Sequence, residues 1–460
     1  MPRRRLADRP GRVRESDAVV QPPQLSWCPP VERPEQAHQG RQQQALGAAR
    51  RPRLTRPAQA ARWAPVGLVS LRLAGQARTD RPAVPGLIAL AGSLCFVLLR
   101  LWLAAGGNIT RFVRAAWPFT RLDGVPRGLF VFPANGYDGQ FYYRLALDPA
   151  NLHRTAFGIT MDTPFRLQRI GYPALAWLVS LGQHSWVPVA LVVVNVLALT
   201  AVGAAGGMLA GESGRHALYG LLLAGYFGFS ISVGCDLTEP VAAACLLGAI
   251  LAYRRGRPAL AGLLFAYGAL TRETVMIVPL AMGALRLIEM VRRRARPASA
   301  DIAWCLPLIT FAAWQLVLRA ATGTLVLLTS FGSNSSGGLP FSGFVGAVRM
   351  NLGLLATSTG AAYIWFLETA TLVAFVAVAL ASLRSAMVPA YERAAFVAFI
   401  IELGGLAGVI WTGHADLRSV DEVYLLAVLI LLTSGRRLRV LALCAGLAVI
   451  VAATHQALYL

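Results

Sequence analysis

Ile170–Gly182 reads IGYPALAWLVSLG, a run of 13 residues without a charge, and its reading decides the topology of everything around it. A helix that crosses a bilayer needs about 20 apolar residues. If this run crosses, the turn Arg254-Arg255-Gly256-Arg257 and the cluster Arg292 to Arg296 face outward. If it lies along the outer surface as an amphipathic helix, those arginines fall on the inner side. They are joined there by the N-terminal arginines from Arg3 to Arg81, by Arg215, Arg384 and Arg393, and by the segment Arg436 to Arg439. Cytoplasmic loops carry the excess of basic residues, so the interfacial reading is selected.

Working outward, the first apolar span is Val84 to Ala105, with Arg100 inside it, and a long loop then ends near Arg169. Further apolar runs follow at 186–210, 217–235, 237–253, 257–271, 274–290, 301–321, 361–384, 394–411, 422–434 and 439–457. The expected fold is all-α: a multi-pass integral membrane protein of about 11 transmembrane helices with a long first extracytoplasmic loop. In domain terms, 1–82 is expected to be a disordered, Arg-rich cytoplasmic N-terminus. Residues 83–460 form the transmembrane domain, with 106–183 as its extracytoplasmic loop plus interfacial helix. No signal-peptide pattern opens the chain, and a true start near residue 80 is an alternative.

Composition supports this class. Of 460 residues, 56% are hydrophobic and 14% are charged, with mean hydropathy +0.55, whereas soluble proteins carry about 25% charged residues. Small residues, among them 44 Gly, let helices approach closely. The net charge of +21 is entirely arginine, since the chain contains no lysine. That charge is spread over the N-terminus and the ends of apolar runs, where it sets topology, so no nucleic-acid partner is expected. The cysteines at 28, 95, 235, 245, 305 and 444 form no CxxC, and the 6 histidines have no metal-site spacing.

In the interfacial topology the remaining polar clusters all meet the outer face. The densest is Asn135–Pro149, NGYDGQFYYRLALDP. Asp138 follows an Asn-Gly turn signal and precedes a helical stretch, so it is either a helix cap or a general base for an acceptor hydroxyl. Tyr137, Gln140, Tyr143 and Arg144 surround it as candidate substrate contacts, with interfacial anchoring as the other role for the aromatics. In CDLTEP, Asp236 and Glu239 are either a capping box or a second acidic pole binding acceptor or a divalent cation such as Mg²⁺ or Mn²⁺. In LTRET, Arg272 and Glu273 interrupt apolar sequence; an arginine there can grip phosphate through two oxygens or simply pair with its neighbour. Ser330–Gly343 is a Gly/Ser-rich stretch, a flap or a plain loop. HADLRSVDE, His414–Glu422, offers Arg418 as a second phosphate ligand, or a solvated turn.

At these residues the chain resembles the GT-C superfamily of polytopic glycosyltransferases, and within it bacterial membrane proteins of cell-surface glycopolymer formation, distantly similar to GPI-type mannosyltransferases. The resemblance rests on Tyr137-Asp138-Gly139-Gln140 after the first span and on Arg169-Ile170-Gly171-Tyr172-Pro173. It rests also on Asp236 and Glu239 ahead of Thr271-Arg272-Glu273-Thr274. It covers roughly residues 84–435. It implies a polyprenyl-phosphate-sugar lipid donor, a glycan or lipid acceptor and a site facing out of a bacterial inner membrane. Asp138 would be the base of an inverting transfer, with Arg272 and Arg418 on the leaving phosphate. The family's first acidic motif is often a pair, whereas Asp138 is flanked by Tyr137 and Gly139. A lipid-linked-sugar flippase or transporter, and a non-catalytic component of polysaccharide assembly, are the rival functions.

Overall fold

The computed structural model describes residues 81–329, 339–357, 360–406, 408–413 and 416–459. The Arg-rich segment before residue 81, most of the Gly/Ser-rich stretch after Thr329, and His414 lie outside these described residues. The described chain is mostly helical. In order the helices are α1 Val84–Leu103, α2 Gly139–Leu147, α3 Gly171–Val179, α4 Val187–Glu212, α5 Leu221–Ala224, α6 Gly228–Gly234, α7 Glu239–Arg254, α8 Pro258–Thr271 and α9 Ile277–Arg293. There follow α10 Ile302–Thr322, α11 Val326–Thr329, α12 Ser342–Ala356, α13 Gly360–Ser382, α14 Ala390–Gly405, α15 Val409–Thr412, α16 Asp421–Thr433 and α17 Arg439–Tyr459. Two ladders of two residues per strand, β1 (Ala115–Ala116) with β2 (Val131–Phe132) and β3 (Thr155–Ala156) with β4 (Ile159–Thr160), stiffen the loop between α1 and α3.

Among the described residues, 6 helices are long and apolar enough to cross a membrane, built on α1, α4, α9, α10, α13 and α17. A seventh arises if the pair Ala217–Ala224 and Gly228–Gly234, bent by 60°, is one span. The other apolar runs of the sequence form shorter helices. These are α7 with 16 residues, α8 with 14, α14 with 16 and α16 with 13. The run that decides the topology folds as α3, only 9 residues and so about 14 Å long, less than half a hydrocarbon core. Its Trp177, Leu178 and Val179 are exposed while Tyr172 and Ala176 are buried, which makes it a one-sided apolar helix. Residues 342–356, which no apolar run predicted, also form a helix, α12.

Every residue of α16 is buried, from Asp421 to Thr433. A helix apolar all round belongs at the centre of a bundle. It packs on α13, α14 and α7, while α7 packs on α4 and α8, and α1 closes against α4 and α17. The loop carrying α2 and α3 sits on this bundle through two glycines. A Cβ on Gly139 would lie 2.1 Å from the Cys235 carbonyl oxygen, so only glycine lets the start of α2 press on the α6–α7 junction. A Cβ on Gly171 would lie 2.3 Å from Thr271 Oγ1, which seats α3 against the end of α8. The Tyr267 hydroxyl holds the same contact by donating to the Gly171 carbonyl at 2.7 Å. These two contacts bring Asp138 beside Glu239 and Arg169 beside Glu273.

Candidate functional site

Asp138 is the last residue before α2, yet its side chain makes no capping hydrogen bond. It points instead at two arginines. Arg166 Nη1 and Arg418 Nη2 both donate to Asp138 Oδ2, each at 2.8 Å. Arg166 comes from the 3₁₀ turn Pro164–Gln168 ahead of α3. Its guanidinium is held from behind by Asp162, through Nε to Oδ1 at 3.2 Å and Nη2 to Oδ2 at 3.1 Å. Arg418 comes from the 3₁₀ turn Asp416–Val420 ahead of α16. Its Nη1 is bonded to Glu239 Oε1, and its Nε donates to the Tyr137 hydroxyl at 3.1 Å. That hydroxyl in turn donates to Asp416 at 3.4 Å.

The capping-box alternative for CDLTEP is not what forms. Thr238 precedes α7 without a side-chain cap, and Glu239 turns to Arg418 and to the Ser232 hydroxyl, which donates to it at 3.2 Å. Asp236 lies in the left-handed region, φ 52°, between α6 and α7. It is fully buried, and neither carboxylate oxygen has a hydrogen-bond partner.

Arg272 interrupts the chain between α8 and α9 and is also encircled. Its Nη1 meets Asp421 at 2.5 Å, its Nη2 donates to the Ser419 carbonyl at 2.6 Å, and Glu422 lies 3.3 Å from Nε. Glu239 is 3.7 Å from the same Nη1, so it links the Arg272 and Arg418 clusters. Glu273 does not pair with Arg272. It takes Arg169 in a two-point bond, at 2.9 and 2.6 Å, and Arg169 also donates to the Tyr142 hydroxyl at 3.2 Å.

These groups border a cavity of about 820 Å³. Its charged lining includes Asp138, Arg166, Arg169, Arg272, Glu273 and Arg418. An apolar stretch of the wall belongs to α14 and its surroundings: Phe399, Ile401, Leu403, Leu406 and Ile410, with Leu327 from α11. Ile401 is 72% exposed, so the apolar stretch runs out onto the surface of the bundle. Glu402 stands in that stretch, the one carboxylate on it among the described residues.

The chain matches no family model, no curated protein and no solved structure.

Of the residues the sequence singled out, Tyr137, Asp138, Arg272, Glu273 and Arg418 line the cavity, and Glu239 backs it through Arg418. Gln140, Tyr143, Arg144 and Asp236 do not line it. The Gln140 carbonyl accepts from Thr120 Oγ1 at 2.7 Å and from the Ala116 amide at 3.2 Å, which ties α2 to the loop. Tyr143 packs in the loop core, and Arg144 bonds to Asn151 and to the His153 carbonyl. Arg166, Asp162 and the pairing of Arg169 with Glu273 were not legible beforehand. A Pro-Phe-Arg turn has no local mark of function, and its partner lies 28 residues away. Among the described residues no group of three or more His, Cys, Asp or Glu is placed to hold a metal ion. Asp138, Glu239, Glu273, Asp421 and Glu422 each face a guanidinium group.

Burial by itself pushes the Asp138 carboxyl up, but the Arg166 and Arg418 guanidiniums, then Arg169, outweigh it and hold the group below its ordinary value. Burial pushes the Tyr137 phenol up, against the pull of Arg418, so it is a neutral donor at pH 7. It pushes the Asp416 carboxyl up as well. The cavity thus brings together four arginines, each paired with carboxylate, and apolar side chains of α14.

Proposed function

We propose that this protein is a membrane-embedded glycosyltransferase of the GT-C type. It takes a sugar from a polyprenyl-phosphate donor and places it on a cell-envelope glycan or lipid. The observation that carries this reading is a cavity lined by both arginines and apolar side chains. A lipid-linked sugar phosphate has an anionic centre for Arg272, Arg166 and Arg418, and a hydrocarbon chain for Phe399, Ile401, Leu403 and Ile410. A soluble nucleotide sugar would leave the apolar side chains unused.

In the reaction, Asp138 removes the proton from an acceptor hydroxyl as its oxygen bonds to the sugar anomeric carbon. The bond from that carbon to the donor phosphate oxygen breaks, and its electron pair leaves with the polyprenyl phosphate. The arginines neutralise the charge that develops there. Glu239, Asp421 and Glu422 hold those arginines in place.

In the membrane, the single exposed face of α3 lies in the outer interface, and the Arg254 and Arg292 to Arg296 segments lie on the cytoplasmic side. If α7, α8, α14 and α16 also cross, with α5 and α6 as one bent span, the crossings number about 11. The bacterial inner membrane, an N-terminus in the cytoplasm and a site facing away from it complete the reading.

One observation favours the rival transporter: the bent pair α5–α6 ends at the orphaned Asp236, as broken helices do at transport sites. The test is the envelope glycan profile of a deletion strain complemented with wild type, Asp138→Asn or Arg272→Ala, at matched membrane abundance. Loss of one sugar that only wild type restores supports the transferase. Full restoration by Asp138→Asn refutes it and leaves the transporter or the non-catalytic component.

A further inference from the structure

All four guanidiniums on the cavity wall are already committed to carboxylates. Arg169 is bound at two points by Glu273, and Arg272 by Asp421 and Glu422. Arg418 is bound by Glu239 and Asp138, and Arg166 by Asp162 and Asp138. A phosphate that enters meets guanidiniums already held by carboxylates and competes with them. The six carboxylates are unequal. Asp421 is 0% exposed, Glu422 2% and Glu239 1%, whereas Asp138 at 18%, Glu273 at 15% and Asp162 at 25% line the cavity, and of these three Asp138 alone joins two arginines. Both of its bonds go to one oxygen, Oδ2, so one group's departure opens two donors at once.

We infer that a phosphate group and the Asp138 carboxylate compete for the same pair of guanidiniums, so that binding of the phosphate unlocks Asp138. The inference rests on the reading of Asp138 as the base. The two arginines keep their places when Asp138 leaves, because each has a second anchor. Arg166 retains Asp162 and lies over the Phe141 ring at 5.3 Å; Arg418 retains Glu239 and Tyr137 and lies over the Tyr137 ring at 5.1 Å. They form a preset cradle with Asp138 as its resting occupant. With the phosphate in that cradle, the charges that hold Asp138 below its ordinary value are neutralised, and it becomes a better proton acceptor when the donor is in place. Arg166 is then a positioning residue whose partner changes, and Asp162 is its permanent anchor.

Linkage makes the competition reciprocal: if phosphate displaces the carboxylate, removing the carboxylate's charge must tighten phosphate. The experiment uses the full chain in nanodiscs, titrated with a polyprenyl phosphate and separately with inorganic phosphate. It compares wild type, Asp138→Asn and, as a control outside the cavity, Asp148→Asn. The expected result is that Asp138→Asn binds polyprenyl phosphate about tenfold tighter than the other two, although its sugar transfer is impaired. Equal or weaker binding of both phosphates overturns the inference. Should Asp138→Asn fail to fold, carbodiimide labelling of the wild type gives the answer. Labelling of Asp138, read by mass spectrometry, should rise when polyprenyl phosphate is added, and an unchanged or reduced yield overturns the inference. If Asp138→Asn tightens inorganic phosphate but not the lipid, the competition stands and the lipid-donor reading falls. If it tightens neither while wild type still transfers sugar, the competition falls and the transferase stands. If no phosphate binds any of the proteins, both fall.

Discussion

The two ends of α7, α14 and α16 both seat arginine against carboxylate, and they are built differently. At one end, Arg254 on the last turn of α7 meets Glu392 on the first turn of α14 in three hydrogen bonds of 2.7 to 2.9 Å. Tyr391 donates to the same glutamate at 2.9 Å, and Arg254 reaches Thr433 at the end of α16 at 3.4 Å. One cation faces one anion there. At the other end, about 22 Å along α7, Glu239 enters a web in which Arg166, Arg169, Arg272 and Arg418 meet six carboxylates. The first arrangement offers each group one partner. The second offers several partners within reach beside an open cavity, which is what the inferred exchange requires. The same residue chemistry thus staples one end of the bundle and leaves the other end responsive.

The strongest break of this contrast comes from Asp138→Asn. Sugar transfer should fall by about 10²- to 10⁴-fold, the range of a lost general base, measured at matched membrane abundance. Normal transfer would make Asp138 a second structural ion and erase the distinction between the ends.

Glu392→Gln is the complementary test. It strands the Arg254 cation among buried groups, which costs about 3–5 kcal/mol where one partner of a buried pair is removed. The melting temperature in detergent should drop clearly, while affinity for polyprenyl phosphate in the surviving folded fraction stays the same. A change of affinity without a change of melting temperature would reverse the roles of the two ends.

Gly139→Ala tests how the loop places the responsive end. The added methyl would meet the Cys235 carbonyl at 2.1 Å, so α2 must lift and carry Asp138 away from Arg418. A stability loss of about 1–3 kcal/mol and a large loss of transfer are expected. In contrast, Gly346→Ala in α12, where nothing lies within 4 Å of the new methyl, should be neutral or gain up to about 1 kcal/mol. Equal effects of the two in a melt would show that α2 does not rest on the α6–α7 junction.

The smallest expected signal is the acid limb of stability. The Asp138 carboxyl is held below its ordinary value of 3.8, so the clamp's contribution is fully present above that value and is lost as the pH falls through the lower native one. The stability difference between wild type and Asp138→Asn should therefore be flat from neutral pH down to about 5, and should shrink only in stronger acid. A difference that disappears between pH 5 and 7 would mean that Asp138 is not paired in the folded protein.

Much was legible in the chain itself. The helical class follows from apolar runs that must satisfy their own backbone hydrogen bonds, and the shortness of Ile170–Gly182 follows from counting residues against the bilayer. The polar clusters at Asp138, Glu239, Arg272, Glu273 and Arg418 announced themselves because charge beside apolar sequence is costly and needs a reason. Their roles were not legible. From sequence, Asp138 is as good a helix cap as a base, and Arg272 is as good a partner for adjacent Glu273 as for anything else. Only the tertiary structure decides that Asp138 turns from its own helix to Arg166 and Arg418, 28 and 280 residues away, and that Glu273 takes Arg169 while Arg272 takes Asp421. Arginines in ordinary turns became half of the site for the same reason. Side-chain pairing is set by which helix ends the packing of Gly139, Gly171 and α16 brings together, and that packing depends on contacts far apart in the chain. Local sequence dictates which residues cannot be left unpaired in a bilayer, and the fold dictates with whom they pair.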